Sequence, residues 1–166
     1  MLRDRFTEGM GRVPNAVCIV TTDGQAGRAG VTASTLSSVS ADGPGLLVCI
    51  HHLSPACAAI QENGVFCVNV LRAGAAVVAN TFAGRSKTDD GNKFSCARWR
   101  TLETGAPVLD QPLVAFDCRL GSAMRWNTHF IFVGDVAAVE LGEAEPLLYG
   151  NRTFGRFAPL SVAEPV

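Results

Sequence analysis

Five apolar runs rich in β-branched residues, joined by short connections, constrain the fold of this chain most. The runs cover residues 16–22, 45–50, 65–71, 113–120 and 129–141. Glycine-rich turn signals follow several of them, as at 23–30, so successive strands are expected to be joined by hairpin turns or by short connections. The regular strand–helix alternation of a doubly wound parallel sheet is not visible. The pattern predicts a mainly β fold with short helices, closed as an antiparallel barrel.

Short helices are predicted between some of these runs. Apolar residues at positions 2, 6, 10 and 13 recur with helical spacing and precede Pro14, which predicts a helix ending near Arg12. A second helix begins after Ser54, with Pro55 in its first position and Gly64 at its end. The alanine-rich segment 73–82 predicts a third helix.

The start of the second helix has two interpretations. Its free backbone N–H groups, its dipole and the Ser54 hydroxyl together suit an anion. In an arbitrary protein, however, the same pattern more often marks a capped surface helix with no ligand. The sequence alone leaves both open.

The composition excludes several classes of function. The chain has 166 residues, 48% hydrophobic and 17% charged, which predicts one compact domain covering residues 1–166. Its net charge is −1 and its basic residues form no patch, so a nucleic-acid partner is not expected. No apolar run approaches the roughly 20 residues that span a bilayer. The N-terminus lacks the apolar centre of a signal peptide, so we expect a cytoplasmic protein without membrane association.

The cysteines and histidines do not indicate a metal site. The six cysteines include no C-x-x-C pair, and four lie inside apolar runs, which is typical of reduced thiols in a core. A zinc site from His51, His52 and Cys57 is not expected, because adjacent strand residues point to opposite faces. Motifs of nucleophile elbows, phosphate loops and zinc proteases are missing. An acid–base catalyst would be His129, Asp117 or Asp135, and nothing in the sequence pairs them.

The stretch 31–40, VTASTLSSVS, carries six hydroxyl side chains and no charge between two apolar runs. One interpretation is a strand and its exit, in which Ser and Thr satisfy local backbone groups. The other is a row of neutral donors and acceptors along a small-molecule site.

Seven segments in order resemble the short-chain flavin reductases of two-component monooxygenases. They are 17–40, 46–50 followed by Ser54, 63–71, 81–84, 105–120, 128–136 and 146–157. This family, which includes the reductase component of 4-hydroxyphenylacetate 3-monooxygenase, has an FMN-binding split β-barrel. The resemblance implies that fold, and a homodimer of six-stranded barrels with flavin near the dimer interface.

The resemblance also implies roles for individual residues in flavin binding. Thr32, Ala33, Ser34 and Thr35 match the stretch along the isoalloxazine ring, and Ser37 and Ser38 match positions near the ribityl chain and phosphate. The family's phosphate-binding segment corresponds to His52, Leu53, Ser54, Cys57 and Ala58. The motif that approaches the flavin tail corresponds to Phe82, Ala83, Gly84 and Arg85. His residues in place of the more usual basic residue at 51–52 imply a weaker or pH-dependent phosphate contact.

For the nicotinamide substrate, the resemblance implies His129, Tyr149, Arg152 and Phe154, with His129 positioning the nicotinamide rather than acting as an acid or base. The implied activity is reduction of FMN or FAD by NADH or NADPH, with the reduced flavin passed to an oxygenase. One alternative is a flavoprotein that keeps its flavin and reduces another acceptor, such as a cob(II) corrinoid. A further alternative is a flavin-binding module without enzymatic activity.

Overall fold

The structure, a computed structural model, describes residues 1–160, so the last six residues of the predicted domain lie outside it. Its helices are α1 (Leu2–Arg12), α2 (Pro55–Asn63) and α3 (Ala76–Phe82), with a 3-10 turn at Lys93–Cys96. The strands in chain order are β1 (Asn15–Ala16), β2 (Cys18–Thr22), β3 (Ala29–Ala33), β4 (Ser37–Ser40), β5 (Gly45–His51), β6 (Val65–Val70), β7 (Trp99–Thr101), β8 (Pro107–Leu109), β9 (Val114–Trp126), β10 (His129–Leu141), β11 (Leu147–Gly150) and β12 (Thr153–Arg156).

The main sheet has seven strands in the order β3-β2-β6-β9-β10-β5-β4, and every pairing is antiparallel. Strands β3 and β5 approach each other across the open side, which curls the sheet into a split barrel. The predicted fold class is confirmed. The strand count exceeds the implied six because the hydroxyl-rich stretch breaks after Ala33, and its two halves form opposite edges of the sheet.

Strands β9 and β10 form a long hairpin that extends beyond the barrel. The run predicted at 113–120 continues to Trp126, and residues 121–126 are exposed. The register of the β9–β10 pair shifts between Val133 and Gly134, which is a bulge of the kind that a glycine inside a strand indicates. A Cβ at position 134 would overlap the ring of Phe66, so the bulge also makes room for the core.

The barrel interior is a continuous apolar core that includes Phe66, Phe132 and Ile60. All six cysteines are free, and Cys18, Cys57, Cys67 and Cys118 are buried. Burial raises the pKa of Cys18 and Cys118 to about 12, so these thiols stay protonated and pack as small apolar groups. The predicted reduced, structural cysteines are confirmed for these residues.

A buried amide attaches the β7–β8 hairpin to the barrel. Asn69 is fully buried; its Nδ2 donates to the Ile19 and Pro107 carbonyls, and its Oδ1 accepts from the Leu109 N–H at 2.7 Å. The Thr21 hydroxyl also bonds to the Pro107 carbonyl. These bonds fix a hairpin that is not among the strands predicted from the sequence, because a single Asn inside an apolar run gives no sign of its partners.

The helices match their predicted positions, with different degrees of packing. Helix α2 begins after Ser54 and ends at Gly64, whose φ of 69° is the left-handed conformation expected of a C-terminal glycine. Helix α1 ends at Arg12 as predicted, but none of its residues is buried. Within residues 1–160, no helix is long and apolar enough to cross a membrane.

Candidate functional site

A cavity of about 180 Å³ lies between strand β3 and helix α3. We refer to it as the β3–α3 cavity. Its lining residues are Val17, Thr32, Ala33, Ser34, Ala79, Asn80, Ala83, Arg85, Tyr149 and Phe154. Seven of these were predicted as site residues from the resemblance. The structure therefore brings together parts of the chain that are more than 120 positions apart, as expected for one binding site.

The polar groups of the β3–α3 cavity are almost all neutral. The Thr32 hydroxyl donates to the Ala79 carbonyl at 2.7 Å, so this side chain attaches α3 to the sheet. Arg85 is the one charged side chain in the lining, and its guanidinium lies 5.6 Å from the Tyr149 ring centre. Tyr149 in turn makes an edge-to-face contact with Phe154, with ring centres 5.2 Å apart. The cavity thus combines a hydroxyl-bearing strand with an aromatic wall.

A second cavity of about 240 Å³ carries permanent positive charge, and we refer to it as the cationic pocket. It is lined by Arg28, Ala29, Gly30, Ser54, Pro55, Gly91, Asn92, Lys93 and Phe94. Ser54 precedes α2 but its side chain makes no capping bond, so its hydroxyl remains available. At the start of the helix Pro55 has no N–H and the Cys57 N–H donates to the Ser54 carbonyl at 2.9 Å, which leaves the N–H of Ala56. Gly30 of this pocket and Thr32 of the β3–α3 cavity lie on the same face of β3.

The two cations of this pocket are held in place by neighbouring groups. Arg28 donates its Nε–H to Asp23 at 2.8 Å, and its guanidinium lies 5.4 Å from the centre of the Phe94 ring. One of its five N–H groups is thereby occupied, and the rest can contact an anion. The Lys93 ammonium donates to the Phe82 carbonyl at 3.3 Å, beside the end of α3. Both charges converge on one pocket with an open helix start.

An aromatic cluster connects the end of α3 to the β7–β8 hairpin, since it includes Phe82 of α3 and Trp99 of β7. The rings of Phe82, Phe94 and Trp99 lie 5.1 to 5.4 Å apart, and Phe82 is almost fully buried. A Cβ at Gly30 would lie 2.6 Å from the Phe82 ring, so the cluster approaches β3 through the missing side chain. Glycine is required at position 30 for this contact.

The three histidines of the chain meet at the end of strands β5 and β10. His51 stacks on His52 with ring centres 5.0 Å apart, and meets His129 edge-on at 5.1 Å. His51 and His129 are paired across the sheet, whereas His52 lies just beyond β5. The expectation that His51 and His52 point to opposite faces is therefore wrong, because strand alternation has ended at His52. Among residues 1–160, no group of His, Cys, Asp and Glu has the arrangement of a metal site.

The remaining predicted residues lie around these sites without lining the β3–α3 cavity. Ser37 and Ser38 are on β4, where Ser38 lines an apolar groove with Leu36 and Val139. Arg152 has a positive φ of 61° and lines a different cavity, together with residues of α1. Cys57 and Phe82 are buried, so their side chains support the site by packing. The other four are on the connections and helix near these pockets: Thr35, Leu53, Ala58 and Gly84.

Sequence reasoning missed Arg28 and Lys93. Arg28 is in the glycine-rich turn before β3, and Lys93 follows a polar loop, so neither belongs to a periodic pattern. The available signal for Arg28 was a basic residue inside the matched segment 17–40, four positions before Thr32. Nothing in the sequence indicated Lys93, because it reaches the site through the turn at Lys93–Cys96.

Comparisons with known proteins agree with this geometry. The flavin reductase-like domain family matches residues 10–158. The chain is 44% identical over 163 residues to FMN reductase (NADH) RutF 1 of Methylorubrum extorquens, covering 96% of this chain and 80% of that protein.

Two solved structures are also similar. One is the NADH:FAD oxidoreductase SgcE6 of Streptomyces globisporus in complex with NAD and FAD fragments (28% identity, TM-score 0.85, 98% of this chain and 95% of that one). The other is BorF, the flavin reductase component of a bacterial two-component tryptophan halogenase (29% identity, TM-score 0.84, 95% and 99%). With a family match over most of its length, this chain belongs to the flavin reductase-like domain family.

Proposed function

We propose that this protein reduces a free flavin, FMN or FAD, with NADH or NADPH and supplies the reduced flavin to an oxygenase. The observation that carries the proposal is that strand β3 lines both the neutral β3–α3 cavity, through Thr32 and Ala33, and the cationic pocket, through Ala29 and Gly30. A flavin nucleotide has the same two parts, a neutral planar ring system and a phosphate. The chemistry of the two cavities is therefore matched to the two ends of the ligand.

The residues present fit a flavin. The β3–α3 cavity offers apolar surface from Val17, Ala79 and Phe154 for the ring, and polar atoms from Ser34 and Asn80 for its pyrimidine edge. The cationic pocket offers Arg28, Lys93 and the start of α2 for the phosphate. When bound, the flavin would accept a hydride from the nicotinamide ring. The chain's own residues bind and orient the two rings and keep water from the cavity.

A mostly neutral lining also suits release of the product. Apart from Arg85, the β3–α3 cavity holds no formal charge. Hydroxyl and backbone groups can hydrogen-bond to oxidised and reduced flavin alike, so neither state is held irreversibly. Tyr149 and Phe154 would contact the nicotinamide, with Arg152 nearby and His129 positioning the substrate from the end of β10.

Relatives indicate the pair of substrates and the kind of partner. The M. extorquens relative is named for FMN and NADH, and the S. globisporus structure contains NAD and FAD fragments. We infer that this protein uses NADH and accepts FMN. BorF is the flavin reductase component of a two-component system, which supports an oxygenase partner in the cytoplasm that receives the reduced flavin by diffusion.

We also propose that the protein is a homodimer. Several large apolar side chains are exposed on α1 and on the β9–β10 hairpin, including Phe6, Met10, Met124 and Trp126. Trp126 is 69% exposed although it is the kind of side chain that interfaces bury. Light scattering should give about twice the chain mass of 17.5 kDa. A monomer mass at micromolar concentration would contradict the proposal.

The reductase proposal predicts that NADH oxidation by the purified protein accelerates when FMN is added. The measurement is absorbance of NADH under anaerobic conditions, with FMN, FAD and riboflavin supplied in turn. With flavin in excess over protein, we expect each protein molecule to reduce many flavin molecules, because the reduced product leaves the site. Flavin that stays bound through gel filtration, with no more than one flavin reduced per protein molecule, would favour a retained-flavin enzyme. Flavin binding without any NADH oxidation would favour a binding module, and either result would reject the proposal.

A further inference from the structure

A cavity of about 440 Å³ lies beside helix α3, and we refer to it as the two-arginine cavity because Arg72 and Arg98 line it. Its lining on α3 includes Val77 and Val78, whereas the lining of the β3–α3 cavity on this helix begins at Ala79. The two-arginine cavity shares no lining residue with that cavity or with the cationic pocket. Small-molecule sites typically have volumes of about 300 to 1,000 Å³, so this cavity is large enough for a ligand of its own.

Part of the lining of the two-arginine cavity is apolar and belongs to the core. Ala75, Val78 and Leu109 line the cavity, and all three are buried in the apolar cluster that also contains Phe82. Cys96, another lining residue, packs against the same cluster. An apolar group that enters the cavity would therefore lie against apolar side chains and lose contact with water on that side.

The charged groups of the lining are of both signs, namely the guanidiniums of Arg72 and Arg98 and the carboxylate of Asp110. None of the salt bridges among residues 1–160 includes any of these three side chains. Opposite charges thus line one cavity without pairing with each other, which leaves both the donors and the acceptor available to a ligand. An arginine presents its N–H groups in a planar arrangement that matches a carboxylate.

Backbone contacts hold the three charged residues on a common frame. Arg72 forms a β-bridge with Pro146, and its carbonyl accepts from the Ala75 N–H at 2.9 Å. The Asp110 N–H donates to the Arg98 carbonyl at 2.9 Å, which extends the pairing of β7 with β8 by one position. Because opposite residues of an antiparallel pair project from the same face, Arg98 and Asp110 line the cavity together. A frame that is already ordered reduces the entropy lost on binding.

We propose that the two-arginine cavity binds a small zwitterion of the class of an α-amino acid with an apolar side chain. The ligand's carboxylate accepts hydrogen bonds from Arg72 and Arg98, and its ammonium group donates to Asp110. Its side chain lies against the buried apolar residues of the lining. Asp110 repels a phosphate dianion, so the cavity does not suit the phosphate of a nucleotide. The inference goes beyond the proposed function and does not depend on it.

The test is calorimetric titration of the full-length protein at neutral pH, with L-phenylalanine as the zwitterionic probe. Two analogues each lack one charge: 3-phenylpropionate has no ammonium group, and phenethylamine has no carboxylate. We expect each analogue to bind at least about tenfold more weakly than L-phenylalanine, because it loses a charge-assisted contact and leaves a charge of the cavity unpaired. Inorganic phosphate should bind more weakly than L-phenylalanine as well, because Asp110 repels it.

Variants of the charged residues assign each contact to one end of the probe. Asp110→Asn should weaken L-phenylalanine about tenfold and leave 3-phenylpropionate unchanged or tighter, since that analogue has no ammonium group. The double variant Arg72→Gln/Arg98→Gln should weaken L-phenylalanine at least about tenfold and leave phenethylamine unchanged or tighter. The matched controls are Arg5→Gln and Asp42→Asn, which change exposed charges outside this cavity. Thermal unfolding of each variant checks that it is folded.

Three results would overturn the inference. The first is an analogue or phosphate that binds as tightly as L-phenylalanine, and the second is an affinity for L-phenylalanine that survives in folded variants of the charged residues. The third is competition by saturating FMN, which would place the probe in the β3–α3 cavity. NADH oxidation with FMN is measured on the same preparation without L-phenylalanine. Its absence would reject the proposed function, whereas the calorimetric comparisons decide the zwitterion site independently.

Discussion

Replacing both cations of the cationic pocket, as Arg28→Gln with Lys93→Met, should weaken FMN binding about 100-fold and leave riboflavin binding nearly unchanged. Each charge-assisted contact to a phosphate contributes about 1.5 kcal/mol or more, and about 1.4 kcal/mol is a factor of ten in affinity. Riboflavin has the same ring system without the phosphate. The ratio of the two dissociation constants, measured by fluorescence quenching of the flavin, therefore isolates the phosphate contact.

The matched control is Arg3→Gln with Lys87→Met, which removes the same charge from an exposed helix and from the loop before the pocket. Arg3 and Lys87 line neither cavity, so this variant should keep the FMN-to-riboflavin ratio of the unmodified protein. Lys93 also donates to the Phe82 carbonyl, so a small loss of stability is expected in the test variant. Equal weakening of FMN and riboflavin would mean that the site was distorted and that the phosphate lies elsewhere.

The barrel could be predicted because most of its strands have a recognisable local sequence pattern. The runs at 65–71 and 129–141 carry β-branched residues in lengths that suit a strand, and both formed strands within one residue of prediction. Helix α2 was predictable for a similar reason, since Ser54, Pro55 and Gly64 act through the backbone within a few positions. Strand β9 was predicted six residues too short, because its exposed end from Gly121 to Trp126 has no regular pattern of β-branched residues and pairs only with β10.

The binding site was less predictable from residues alone. The hydroxyl-rich stretch looked like a single strand and its exit, yet it divides into two opposite edges of the sheet because the curled sheet brings β3 and β5 together. Its Thr32 hydroxyl holds α3 instead of pointing freely into the cavity. The resemblance supplied the lining residues, while Arg28, Lys93 and the meeting of the histidines depend on tertiary contacts between segments distant in sequence.

Those tertiary contacts determine which part of the site each element of the fold contributes. Strand β3 contributes the neutral surface at Thr32 and Ala33 and, two residues before Thr32, the close approach at Gly30. Helix α3 ends at Phe82, so its last buried ring and the cavity-lining Ala83 are adjacent in the chain. Any change that moves the Phe82 ring must therefore also move one wall of the β3–α3 cavity.

The variant Gly30→Ala tests this connection and should cost both stability and activity. Its Cβ would lie 2.6 Å from Cε1 and 3.0 Å from Cδ1 of Phe82, and 3.3 Å from the Phe94 ring. Phe82 is 1% exposed and packs against Phe94 and Trp99, so it has no space into which to move. Overpacking of this kind typically lowers the free energy of unfolding by about 1 to 3 kcal/mol. We expect a loss in the upper half of that range.

Because Ala83 must follow Phe82, kcat/KM for FMN reduction should fall at least about tenfold, as small displacements in a positioned site do. Gly9→Ala is the control, since a Cβ there meets nothing within 4 Å and alanine favours the helix. The double variant Gly30→Ala/Phe82→Leu replaces the Phe82 ring by a smaller side chain. It should recover part of the lost stability and part of the lost kcat/KM, and a double-mutant cycle measures this recovery as a coupling energy between the two positions. Unchanged stability and kcat/KM in Gly30→Ala would show that the aromatic cluster can accommodate the added methyl group without moving the cavity wall. Additive losses in the double variant would show that Gly30 acts through another contact.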